Sequence, residues 1–185
     1  MQFESGLERK FCRFGDELTV KDGVEIEGYA SLFGQADQGG DVVAKGAYGA
    51  SLKTLNAQGR RVKMLWQHDP SAPIGVWDDV REDERGLYVK GRLLESVARG
   101  REAAALIQAE ALDGLSIGYR TKKATRGEAG TRCLQELELW EVSLVTFPML
   151  PSARVGAKHD RALHESREFR ALADVLRDAA LEMKT

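Results

Sequence analysis

Three stretches of this chain carry side chains that could act together on an acyl group. In "ALDGLSIGYR" Ser116 stands in an otherwise apolar strand, after the Asp113-Gly114 turn and just before Gly118. In "LELWEVSLVTF" Glu141 interrupts an apolar run, and in "VKMLWQHDP" His68 closes a strand. A serine hydroxyl is a weak nucleophile at neutral pH, and an adjacent imidazole is its usual activator. A carboxylate on the far ring nitrogen completes that arrangement. Each residue also has a plainer reading: a strand serine beside a glycine bulge, an edge-strand glutamate reaching water, and a structural histidine at a strand end.

Strand alternation decides which way each side chain points. Leu115, Ile117, Tyr119 and Thr121 share one face, leaving Ser116, Gly118 and Arg120 on the other. Gly118 has no side chain, so it leaves space beside the serine for something to approach. A hairpin turn centred on Glu128-Ala129 would set Ser116 directly opposite Glu141, on the same face. A slip of one residue would separate them. Glu141 would then share its face with Leu139 and Ser143, and such a carboxylate is costly unless paired. His68 falls on the face of Val62, Met64 and Trp66. Asp69 is an alternative orienting carboxylate, but as the next strand residue it should point the other way. His159 and His164 lie in a polar tail, at a spacing unsuited to ligating a metal from one helical face.

Positioning these groups requires a rigid frame, and the pattern predicts strands. Residues 10–20 and 24–33 read as two strands joined by Lys21-Asp22-Gly23. A glycine-rich loop over 34–46 precedes a short helix over 47–59. A strand over 61–69 is stopped by Asp69-Pro70, and a hairpin over 74–94 turns between Glu82 and Gly86. Ser96 can cap a helix running to about Leu112, with Leu106, Ile107, Ala111 and Leu112 on one side. Strands over 115–123 and 132–147 flank a turn at 126–130, and Pro148 and Pro151 end the second. Beyond them Leu163, Phe169, Leu172, Leu176, Ala180 and Met183 recur at helical spacing, predicting an amphipathic helix over 157–184. The fold class is mainly β with helices (α+β), an antiparallel sheet closed or nearly closed on itself.

The 185 residues suffice for one domain with a modest appendage. Lys and Arg number 27 against 29 Asp and Glu, a formal net charge of −2, without the basic excess of a nucleic-acid binder. No GxxxxGK[ST] or GxGxxG stands between a strand and a helix, so phosphate binding has no support. Cys12 and Cys133 lie far apart and read as reduced thiols. No apolar run approaches the ~20 residues of a membrane span. "MQFESGLERKF" is charged where a signal peptide is apolar, which predicts a cytoplasmic protein.

Five blocks in order, "EGYASLFGQADQGGDVVAKGAYGASL", "VKMLWQHDPSAPIGVW", "GLYVKGRLL", "ALDGLSIGYR" and "LWEVSLVTFPMLPSARV", resemble the prohead (capsid maturation) serine proteases of tailed phages, prophages and gene transfer agents. The resemblance runs over roughly residues 24 to 155. It implies His68 as general base, Ser116 as nucleophile and Glu141 as the third member. It implies a fold similar to the herpesvirus assemblins, an antiparallel β-barrel flanked by α-helices, and this is why a barrel is expected rather than a sandwich. The assemblins place an arginine-containing loop at the oxyanion; Arg120 and Arg154 are candidates, and no motif fixes either. The implied substrates are the scaffolding segment of the major capsid protein and the chain itself, cleaved inside the immature capsid in the bacterial cytoplasm. A homodimer follows by the same analogy. No metal, organic cofactor, nucleic acid or membrane is called for. Residues 1–155 would form the protease domain and 156–185 a helical tail, either a docking or self-cleaved segment or a packed helix. The alternative is a catalytically silent capsid assembly module of the same fold.

Overall fold

Alternation of buried and exposed residues makes most of the chain strand. In 86–93, for example, Leu87, Val89, Gly91 and Leu93 are buried on one face while Tyr88, Lys90 and Arg92 are less covered. The computed structural model describes residues 8–12, 19–21, 24–37, 39–127 and 131–146. Within these, the strands are β1 (Glu8–Cys12), β2 (Thr19–Lys21), β3 (Glu25–Leu32), β4 (Asp41–Val43), β5 (Lys63–Trp66), β6 (Asp69–Glu82), β7 (Gly86–Leu93), β8 (Gly114–Arg126) and β9 (Arg132–Val145). Two helices interrupt them, α1 (Gly49–Ala57) and α2 (Ala98–Gln108).

All nine strands form one sheet in the order β1-β8-β9-β5-β6-β7-β3-β2, with β4 also on β9. The sheet curls so that β3 comes against β1 and β8. Its end strands, β1 and β2, are not neighbours, so the expected barrel is only partly closed. Nor is it purely antiparallel: β4 and β5 both run parallel to β9 and share one of its edges. The core lies inside the curl, where Ile26, Met64, Ile74, Leu115 and Ile117 are among the fully covered side chains. The Trp77 indole N–H donates to the carbonyl of Val142 at 3.2 Å, fixing β6 under β9. No helix among the described residues is long and apolar enough to cross a membrane.

Several sequence expectations need correction. The single first strand is two, β1 paired with β8 and β2 with β3. The glycine-rich loop contains β4. Asp69-Pro70 does not stop a strand; it begins β6. Helix α2 starts after Val97 with no side-chain cap, so Ser96 does not cap it. It ends at Gln108 because Glu110 takes a left-handed φ of 56° and Ala111 N–H turns back to the Leu106 carbonyl. Its buried face is Ala103, Ala104 and Ile107, whereas Leu106 and Ala111 are exposed. The tail helix, His159, His164 and Arg154 lie outside the described residues.

Strand β1 is held to β8 by its ladder and to Arg132 of β9 by charge. Arg132 bridges Glu8 and Asp41, reaching Asp41 Oδ2 from Nη2 at 2.6 Å, and Thr121 N–H donates to Glu8 at 3.3 Å. Partial burial raises the Glu8 carboxyl, but hydrogen bonds from Thr121 and Arg132 and the Arg132 charge outweigh it. The group is held below its ordinary value of 4.5. Its anion therefore favours the folded state above that value, and this contribution is lost as pH falls through the lowered one. Amide exchange at Glu8–Cys12, normalised to intrinsic rates, should lose protection as pH falls below 4.5 while central β9 keeps its own. Equal behaviour of the two strands would refute the clasp.

Candidate active site

His68 is not in a strand. Strand β5 ends at Trp66, which pairs with Asp69, so Gln67 and His68 form a two-residue hairpin turn. Both have positive φ, 50° and 63°. Such turns favour Asn-Gly, because other L-residues crowd their own backbone there. Two non-glycine residues in that region cost about 1 kcal/mol or more each and persist only where neighbours hold them. The neighbours here are at the end of β9. Gln67 N–H donates to the Leu144 carbonyl at 2.9 Å, and its side-chain amide donates to Thr146 Oγ1 at 2.5 Å. His68 N–H donates to Ser143 Oγ at 3.3 Å.

The β8–β9 register differs from the expected one by two residues. Ser116 faces Ser143, and Glu141 faces Gly118. The hairpin leaves its loop with Arg126 against Arg132. Carried on unchanged, that pairing would set Ser116 against Val142 and turn Glu141 to the opposite face. A bulge intervenes: Gly118 pairs with Glu141 but Tyr119 with Leu139, leaving Trp140 as the extra residue. The bulge returns Glu141 to the Ser116 face, as bulges re-aim side chains. It also puts Leu139 in the core opposite Tyr119, so Leu139 does not share a face with Glu141. The bulge is braced from outside. Leu139 N–H donates to Ser51 Oγ of α1 at 2.9 Å, and Arg60 and Arg120 lie over the Trp140 ring at 5.8 and 5.1 Å. Arg120 is thus exposed and engaged on Trp140.

These two devices bring His68 and Glu141 together, with Ser116 one strand over on β8 opposite Ser143. The Nδ1 of His68 lies 2.5 Å from Glu141 Oε1, and Ser143 Oγ donates to Oε2 at 2.5 Å. With the carboxylate ionised, Nδ1 carries the proton and donates, leaving the Nε2 lone pair as the basic position. His68 is 9% exposed, Glu141 5%, and Ser116 and Ser143 0%. A carboxylate buried this deeply is tolerated because both oxygens accept hydrogen bonds. Ser116 is fully covered, whereas the sequence predicts open space beside it. Gly118 is no vacant clearing: the Glu141 carboxylate fills the space its missing side chain leaves. Asp69 is exposed and accepts from the Ser71 hydroxyl and amide at 2.6 and 2.8 Å, bonds that hold its carboxyl below the ordinary range.

Sequence reasoning missed the roles of Ser143 and Ser51. A signal for the bulge was present: the apolar core residues around it are Leu137 and Leu139, then Val142 and Leu144, a change of phase at Trp140. Among the described residues no cluster of three His, Cys, Asp or Glu is placed to hold a metal.

The prohead protease of Enterobacteria phage HK97 is 34% identical over 150 residues, covering 77% of this chain. The chain spans 65% of that relative's length. The prohead protease of Escherichia phage T5 is 32% identical over 155 residues, covering 81% of this chain and 70% of the relative. Among solved structures, the bacteriophage T4 capsid assembly protease gp21 superposes with a TM-score of 0.61 at 20% identity, over 77% of this chain and 98% of that one. That likeness establishes a shared fold, the mainly β architecture expected from the sequence. The family described as caudovirus prohead serine protease matches residues 15–167, and the chain belongs to that family.

Proposed function

We propose that this chain is a serine endopeptidase of capsid maturation, with Ser116 as nucleophile, His68 as general base and Glu141 as the carboxylate that orients it. The observation that carries this reading is the buried Glu141–His68 pair beside Ser143, the strand partner of Ser116. His68 Nε2 would take the proton from Ser116 Oγ as that oxygen bonds to the peptide carbonyl carbon, then return it to the amine as the C–N bond breaks. Water attacks the acyl-serine in the second half, with His68 again as base. Glu141 would hold the Nδ1–H tautomer and stabilise the imidazolium. A silent assembly module would gain nothing from two left-handed non-glycine residues and a buried carboxylate, which cost stability. The substrates we infer are the scaffolding segment of the major capsid protein and the chain itself, inside the immature capsid within the host cell.

Labelling with a fluorophosphonate tests the reading, and peptide mass spectrometry should locate the adduct on Ser116. Wild-type protein that is folded and unreactive would refute it. Choice of carboxylate is tested separately. Glu141→Gln should lower the labelling rate about 10³- to 10⁴-fold, because the wrong partner is offered to Nδ1. Asp69→Asn should stay within about twofold of wild type, since its bonds go to Ser71. The reverse pattern would reassign the third member to Asp69.

A further inference from the structure

Ser143 makes two bonds that a filler serine in a sheet would not need. Its hydroxyl donates to Glu141 Oε2 and accepts from His68 N–H, so one oxygen joins the carboxylate to the backbone of the strained turn. It is fully buried on β9, directly opposite Ser116. Each bond addresses a different freedom. The first fixes rotation of the Glu141 carboxyl, so that Oε1 rather than Oε2 meets the imidazole. The second gives the left-handed His68 amide an acceptor, which holds the residue where a β-hairpin would otherwise favour glycine or asparagine. A hydroxyl is suited to both because it offers one proton and lone pairs together.

We propose that Ser143 is a positioning residue of this site, setting the relative orientation of Glu141 and His68 through its two hydrogen bonds. The inference rests on the reading of Ser116, His68 and Glu141 given above. Alanine at 143 leaves a carboxylate oxygen and a backbone N–H without their buried partner. Both groups then relax toward other contacts, and the base loses its alignment on Ser116. Misplacement of a catalytic group by about an ångström costs on the order of 10²-fold in rate.

The test uses the full chain and a fluorophosphonate at saturating concentrations, which separates the maximal labelling rate from the half-saturating concentration. Ser143→Ala should lower the maximal rate about 10- to 100-fold with the half-saturating concentration changed less than about threefold. The low-field proton resonance of the His68–Glu141 bond should shift or vanish in the folded variant. Ser143→Thr, which keeps the hydroxyl, should recover most of the rate, and Ser143→Cys, close in volume and a poor donor, should not. The cysteine variant carries the same comparison if the alanine variant does not fold. A folded Ala or Cys variant reacting within twofold of wild type, with the resonance in place, overturns the proposal. Failure of the parent reading looks different: wild type does not label, or Ser116→Ala still does.

Discussion

Ser116→Ala should end processing of a co-expressed capsid protein, lowering the rate by about 10⁴- to 10⁶-fold while the chain still folds. The loss is large because the nucleophile and its base act as a unit, and what survives is only the background from binding and charge stabilisation. Folding should survive because the position is secured by backbone. Ser116 lies between β1 and β9, paired to Phe11 on one side and Ser143 on the other, with Leu115 and Ile117 packed in the core. Alanine keeps all of that and removes one hydroxyl, a change of about 1 kcal/mol in stability. Intact-mass analysis of the capsid protein after co-expression reads the first effect, and thermal unfolding of the purified variant reads the second. Cleavage continuing near the wild-type rate would remove Ser116 from the mechanism. A variant that fails to fold would show in the unfolding trace, and Ser116→Cys then serves as the comparison.

The strand content was legible because β7 and the first half of β8 alternate apolar residues with polar or small ones in sequence, and the Glu82–Gly86 turn fell where the charged residues put it. What escaped was geometry that single residues decide. Gln67-His68 lacks the Asn-Gly signature of a two-residue turn, so the sequence predicts one strand running through to Asp69-Pro70. Its left-handed backbone is imposed by β9, far away in sequence. The β8–β9 register was missed by two residues, one from the loop and one from the bulge at Trp140. Because the two displacements add to an even number, Ser116 and Glu141 still share a face. The parallel placement of β4 and β5 on β9 leaves no mark in local alternation, since it is a choice between long-range partners.

Gly118→Ala should be nearly as damaging as loss of the carboxylate itself, lowering the rate about 10²- to 10⁴-fold. Gly118 faces Glu141 across the β8–β9 ladder, and a methyl group there would lie 2.8 Å from Glu141 Cδ and 2.9 Å from Cγ, closer still to Oε1. Real carbon–carbon contacts begin well beyond that, so the carboxylate must move. It has nowhere equivalent to go, because Oε1 is fixed by His68 and Oε2 by Ser143. Backbone conformation is not the obstacle: Gly118 lies within a regular strand and has no positive φ. Overpacking of this kind costs about 1–3 kcal/mol, so the variant should fold with a lowered melting temperature. Two measurements separate displacement of Glu141 from general damage. The low-field His68–Glu141 proton signal should be lost in the folded protein. In addition, Gly118→Ala combined with Glu141→Gln should be little slower than the slower single variant, since one group cannot be displaced twice. Full additivity of the two losses, or an alanine variant labelling at the wild-type rate, would show that Gly118 serves something other than room for the carboxylate.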